Sequence, residues 1–372
     1  MPDPTKLSDI DWSQVPLIEN ASKFMMYMRA SAGSEYIPLR CKSGFAPDLS
    51  VAISNIGATS WLIHSVPSNG KENEQRTVYQ MTYRHGARIV HAAKRRDLTF
   101  LDRDERAAYK AAMPIVEKAL RQPTLLRREL FIHDAIIKTA DYDYECLKLL
   151  DKDPTIQTPS ATAYGVLINK KAICSGFSDA FYLLGNLAGL NVGYWTGTTG
   201  GEPKGPHAWN IITIGGITYF VDTTFDHRGY VTKNLKRHDY VYFNAPREII
   251  SSSHSWNKAS EAGLRIAEKV DANFFYTASE YNAAEELFGY YYSSVQQGFH
   301  AIAKHILMGN RRVAGFMMTY DPKYENSSAY FPEIRRHIDM IVQNSAYRKR
   351  PYYEISLETN PKCNYMLFTV YL

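Results

Sequence analysis

The hydrophobic pattern of the chain changes period several times, and each change predicts an element. Residues 21–30 (Ala-Ser-Lys-Phe-Met-Met-Tyr-Met-Arg-Ala) carry apolar groups at helical spacing. Tyr36–Cys41 and Val51–Ile53 read as strands, and so does the alternating run Val78–Tyr83. The polar stretch Pro67–Gln75 reads as a turn between strands. Helices follow. Asp102–Leu120 opens with acidic residues and continues in Ala-rich helix formers. Thr124–Thr139 places Leu126, Leu130, Ile132, His133 and Ile136 at mixed i+3/i+4 spacing, and Asp141-Tyr-Asp-Tyr144 ends it. Beyond residue 261 the pattern predicts helices at Glu280–Ile306 and Phe331–Asn344, then strands at Tyr352–Leu357 and Tyr365–Tyr371. The expected organisation is an α+β protein in three regions: residues 1–100, a core at 101–260, and 261–372.

Two adjoining segments of the core are the most legible. From Cys174 to Gly189, apolar residues at Phe177, Ala180, Phe181, Leu184, Leu187 and Ala188 define one face of a helix. Gly189 stands where a helix ends on glycine. Two β-rich runs then flank Gly215-Gly216, a two-residue hairpin signal. With those glycines as the loop, opposed residues have numbers summing to 431. Alternation of side chains puts His207, Trp209, Asp222 and Thr224 on one face, His207 and Asp222 being diagonal neighbours about 7–8 Å apart or less. This reading carries the second strand through Asp226. The run Thr196–Pro206, rich in Gly and Thr, reads as a polar loop entering His207 and bordering a substrate cleft.

Composition narrows the class. The chain has 372 residues, 45% hydrophobic and 22% charged, which is ordinary for a globular protein. A net charge of +5 is small for this length and does not point to nucleic acid. No window approaches 18 apolar residues without charge, so no membrane span is expected. Nor does the N-terminus read as a signal peptide, so the chain as given reads as cytoplasmic. Its 27 Tyr, including Tyr290-Tyr291-Tyr292, suit half-buried strands and helices, or a peptide- or sugar-binding face. The cysteines Cys41, Cys146, Cys174 and Cys363 include no CxxC pair, so no metal ribbon is indicated.

Placement gives one of these thiols a chemistry. A cysteine in the first turn of a helix meets free backbone N–H groups and the positive end of the helix dipole, and both favour the thiolate. An Asp beside a His fixes the imidazole's tautomer and orientation. Cys174, His207 and Asp222 are therefore candidates for nucleophile, base and orienting acid.

These residues resemble the transglutaminase-like superfamily, whose core is papain-like. The resemblance rests on Cys174-Ser-Gly176-Phe177 at a helix start, then His207-Ala-Trp-Asn210, then Val221-Asp-Thr-Thr-Phe-Asp226. His133-Asp134 through Asp141-Tyr-Asp-Tyr144, and Ala163-Tyr-Gly165, resemble the approach to the site in bacterial members, and His254-Ser-Trp256 a structural tail. The likeness covers about residues 105–257. It implies a helix carrying Cys174 packed on an antiparallel sheet carrying His207 and Asp222. It also implies no metal, no organic cofactor, and a protein or peptide substrate attacked through a thioester. Hydrolysis, as in a cysteine peptidase or amidase, is the expected outcome. Transglutamination with an amine acceptor is the alternative, and a non-catalytic binding protein on the same fold is a third reading. The second oxyanion donor is open between Tyr164 and Gln157, and Trp209 is a candidate at the substrate side.

Overall fold

A computed structural model of the chain describes residues 10–66, 73–200, 205–227, 231–232, 235–236 and 242–269, and beyond these 313–319, 332, 336, 339–340, 354–360 and 365–371. The chain forms two compact units. The first comprises Met1–His227 with Ser255–Ile266, the second Arg228–His254 with Ala267–Leu372.

The first unit opens with a four-stranded sheet. Its strands are β1 (Leu17–Ile18), β2 (Tyr36–Lys42), β3 (Ala58–Val66) and β4 (Glu74–Tyr83), in the order β1-β2-β4-β3. Only β1 and β2 pair in parallel. Helix α1 (Ala21–Ala30) begins on Asn20, whose side chain accepts the N–H of Lys23, and it buries Phe24, Met25 and Met28. Val51–Ile53 belongs to a helix, α2 (Leu49–Asn55), and not to the expected strand. Asp48 accepts the N–H of Ser50 at 3.0 Å at the start of that helix. A three-residue run with two β-branched side chains is too short to set its own structure, and here the burial of Leu49, Ala52 and Ile56 at helical spacing decides it. Of the expected turn, residues 67–72 lie outside the described residues, while Glu74 and Gln75 already belong to β4.

Helices α3 (His85–Arg95), α4 (Arg103–Leu120) and α5 (Leu125–Ile137) follow. Asp102 and Glu105 close a capping box on α4, and Thr124 caps α5. Short strands β5 (Asp141–Tyr142) and β6 (Lys171–Ala172) pair in parallel around α6 (Tyr144–Lys152). Next comes α7 (Cys174–Leu187), wholly buried from Gly176 to Gly185 and packed on α3, α4 and α5. It ends on Gly189 at φ +79°, as expected.

The sheet beneath α7 holds β7 (Asn191–Thr199), β8 (Gly205–Ile214) and β9 (Ile217–Val221), antiparallel throughout. The β8–β9 register runs from Ile214↔Ile217 to Asn210↔Val221, every pair summing to 431. Both turn glycines have positive φ, 58° and 79°, as a tight hairpin with the sheet's twist demands. Two features differ from the sequence reading. The Thr196–Pro206 segment is mostly strand, Thr196–Thr199 closing β7 and Gly205–Pro206 opening β8, with residues 201–204 outside the described residues. Pairing also stops at Val221. The expected strand residues 223–226 form a single helical turn, α8 (Thr223–His227), which Asp222 caps.

Helix and sheet are joined at specific points. Asn210 donates through Nδ2 to the carbonyls of Ser178 on α7 (3.0 Å) and Gly193 on β7 (3.1 Å). A Cβ at Gly185 would come within 2.5 Å of Val192, so only glycine permits this approach of helix to sheet.

In the second unit, Val313–Thr319, Tyr365–Tyr371 and Glu354–Asn360 form an antiparallel sheet with Tyr365–Tyr371 at its centre. The last two match the strands expected at Tyr365–Tyr371 and Tyr352–Leu357. The expected helix Glu280–Ile306 lies outside the described residues, as does most of Phe331–Asn344, of which Pro332, Arg336, Asp339 and Met340 are helical.

Candidate functional site

Cys174 is the first residue of α7. Its N-cap, Ile173, has extended backbone and no capping side chain, and its carbonyl accepts the Gly176 N–H at 2.9 Å, so the N–H groups of Cys174 and Ser175 keep their capacity to bind an anion. The turn is held from behind. The Ile173 N–H donates to the Ser160 carbonyl at 2.9 Å, and the Ser178 hydroxyl donates to the Cys174 carbonyl at 2.9 Å. A Cβ at Gly176 would lie 2.3 Å from the Ser160 carbonyl oxygen. The glycine two residues after the thiol thus lets the Ser160 segment close on the helix start.

The hairpin delivers His207 to this point. Its Nε2 lies 2.7 Å from Asp222 Oδ2, both side chains being buried. Asp222 is itself fixed, because its Oδ1 accepts the N–H groups of Thr224 (2.9 Å) and Phe225 (3.1 Å). With Nε2 engaged by Asp222, the hydrogen bond between His207 and Cys174 falls to Nδ1. The imidazole packs against Trp209 (ring centroids 5.8 Å apart, nearly parallel) and Phe225 (5.0 Å).

The electrostatics follow from that geometry. Burial works against an ionised Cys174. The hydrogen bond to His207, the imidazolium charge and the Ala208 N–H outweigh it and hold the thiol below its ordinary value, against a smaller opposing effect from Asp222. Burial likewise works against charge on His207, but Asp222 and Cys174 outweigh it and raise the imidazole well above its usual range. Both shifts run toward a thiolate–imidazolium pair. Cys41, by contrast, is pushed up to about 11 by burial alone. Cys174 is half-buried and Cys41 and Cys146 are buried.

Among the described residues neither Gln157 nor Tyr164 hydrogen-bonds to Cys174 or His207. Gln157 is exposed in the segment after α6, and Tyr164 is half-buried before the helical turn at Gly165–Asn169. Trp209 is fully buried and supports the imidazole from beneath. Sequence reasoning missed the Ala208 N–H, a backbone group without a side-chain signal. It also missed Asp179, buried on α7, whose carboxylate accepts the N–H groups of Gly86 and Ala163 and so ties α3 and the Ala163 segment to the helix of Cys174.

One group of possible metal ligands in this unit, His85, Asp102 and Glu105, has donor atoms within 4.8 Å of one another. Its carboxylates are committed to the α4 capping box, and Glu105 also pairs with Arg88 at 2.6 Å, which disfavours a cation there. A cavity of about 180 Å³, lined by Arg29, Asn55, His91, Tyr182 and Asn186 among others, contains no member of the Cys174 line. No helix among the described residues is long and apolar enough to cross a membrane.

The family model described as the transglutaminase-like superfamily matches residues 115–231, a stretch that holds Cys174, His207 and Asp222. The chain carries a transglutaminase-like superfamily domain. Among solved structures, a TGase is 13% identical, with 60% of this chain and 61% of that one covered and a TM-score of 0.28. A provisionally assigned cysteine protease from Cytophaga hutchinsonii is 16% identical, with 44% and 62% covered and a TM-score of 0.26. The chain thus spans about three-fifths of the length of either. No curated protein matches it. In the transglutaminase-like domain, α7 on the β7–β9 sheet is the expected pairing of a cysteine-bearing helix with an antiparallel sheet, within an α+β protein.

Proposed function

We propose that the transglutaminase-like domain is a cysteine-dependent acyl-transfer enzyme that attacks amide bonds of a protein or peptide and passes through a thioester. The observation that carries the reading is the unbroken line from Cys174 through His207 to Asp222, with the thiol lowered and the imidazole raised. His207 takes the thiol proton, and the thiolate adds to the amide carbonyl. The N–H of Cys174 stabilises the oxyanion, and the imidazolium returns the proton to the leaving amine. Asp222 keeps the imidazole oriented. Water then releases the acid, which makes the enzyme a hydrolase; an amine at this step would make an isopeptide bond instead.

Two measurements test this. Iodoacetamide at pH 6 should alkylate Cys174 at least about tenfold faster than Cys41 or Cys146, because only a thiolate reacts. Equal rates would remove the activated thiol. Unfolded casein should then be incubated with the protein and a labelled primary amine. New chain ends or ammonia without label, abolished in Cys174→Ala, support hydrolysis. Incorporated label assigns transamidation, and activity that survives Cys174→Ala overturns the reading.

A further inference from the structure

Helix α8 is one turn, and a single turn costs more to nucleate than its own hydrogen bonds return. Its position is therefore set by what it is fastened to. At its N-terminal end stands Asp222, which caps it and meets His207. At the other end the carboxylate of Asp226 lies 3.0 Å from Nε2 of His133, both side chains fully buried. His227 adds a second link, its Nδ1 donating to the carbonyl of Ile137 at 3.1 Å, and its ring packs 5.3 Å from Phe177 of α7. His133 and Ile137 both belong to α5. Asp226 also donates its N–H to the Asp222 carbonyl at 3.1 Å, so the two acids are joined by one backbone turn.

We propose that His133 and Asp226 are positioning residues for the triad: their buried hydrogen bond fastens α8 to α5 and thereby holds Asp222 against His207. The proposal rests on the thioester reading above. Neither side chain touches a reacting atom. Among the described residues, the charged groups facing His133 are Asp226 from α8 and Asp134 on its own helix, at 3.0 and 3.5 Å, and those acting on Cys174 are His207 and Asp222. A loosened α8 lets Asp222 drift, the imidazolium loses its partner, and the Cys174 thiolate loses the charge that stabilises it.

The test is the pH profile of Cys174 alkylation by iodoacetamide in the full chain. His133→Leu removes the hydrogen bond and is expected to move the acid limb up by about one pH unit, about a tenfold slower reaction at pH values below both midpoints. In His133→Gln the amide nitrogen can occupy the place of Nε2 and keep the bond to Asp226, and the limb is expected to return most of the way to wild type. Should His133→Leu not fold, the double variant His133→Leu/Asp226→Leu, which buries no unpaired charge, is read in its place. An unmoved limb in a folded variant, even with a lower melting temperature, means that the pair is only structural and overturns the proposal. So does a His133→Gln profile no better than that of His133→Leu. The variant His207→Ala separates the two ideas. If it leaves Cys174 fully reactive at pH 6, the thioester reading falls and the proposal with it; if it silences Cys174, a failure at His133 belongs to the positioning proposal alone.

Discussion

At the scale of single residues, the catalytic reading depends on groups whose replacement should be felt far beyond their size. Asp222→Asn would keep the shape of the side chain and could still cap Thr224 through its oxygen. Its amide would meet Nε2 of His207 with the wrong polarity, favouring the other tautomer. Acyl transfer is expected to fall on the order of 10³–10⁴-fold, with the fold intact by circular dichroism. A loss below tenfold would mean that Asp222 does not orient the base. Gly176→Ala acts differently. The added methyl would lie 2.3 Å from the Ser160 oxygen and 3.0 Å from the Ala172 Cβ, both on the segments that frame the start of α7. Backbone cannot step aside as a flexible side chain can, so Cys174 must shift. The expected result is a fall in Cys174 alkylation at pH 6 that exceeds any loss at Cys146.

At the scale of elements, the central hairpin was legible because three local signals agree: two apolar runs, a Gly-Gly loop, and an alternation that fixes which face each residue takes. Its register then placed His207 near Asp222 without further information. What was not legible is how Asp222 arrives. Val221-Asp-Thr-Thr-Phe-Asp226 reads as a continuing strand by β propensity. Yet Asp222 is also a good N-cap, and capping Thr224 and Phe225 ends the strand there. Tertiary fastening to α5 tips the balance, and that contact lies 93 residues away along the chain. The three-residue run Val51–Ile53 failed for a related reason, its helix being set by burial. Asn210 shows what links the elements once formed. Asn210→Ala would remove its hydrogen bonds to the carbonyls of Ser178 and Gly193, at a cost of about 0.5–1.5 kcal/mol for each bond lost. A drop in the urea midpoint with an unchanged slope is the expected readout. A midpoint equal to that of wild type would show that α7 and the sheet do not depend on this joint.

At the scale of the molecule, the first unit can be followed separately in solution, because all five tryptophans (Trp12, Trp61, Trp195, Trp209 and Trp256) lie within its boundaries. Tryptophan fluorescence during urea unfolding therefore reports on the unit that contains α5, α7 and α8. Burial alone would lower the pKa of His133; the hydrogen bonds and charges of Asp134 and Asp226 outweigh it and raise the imidazole from an ordinary 6.5 to about 9. A histidine raised on folding stabilises the folded form fully below its unfolded value, and that contribution fades as pH climbs through the folded one. The window is thus pH 6.5 to 9, and the linked stability is about 3 kcal/mol. His207 and Cys174 titrate as well, so the useful quantity is the difference between wild type and His133→Gln, which cancels groups common to both. That difference should be largest below pH 6.5 and shrink steadily up to pH 9. A difference that grows with pH would mean that His133 is buried neutral and that its hydrogen bond to Asp226 is not ionic.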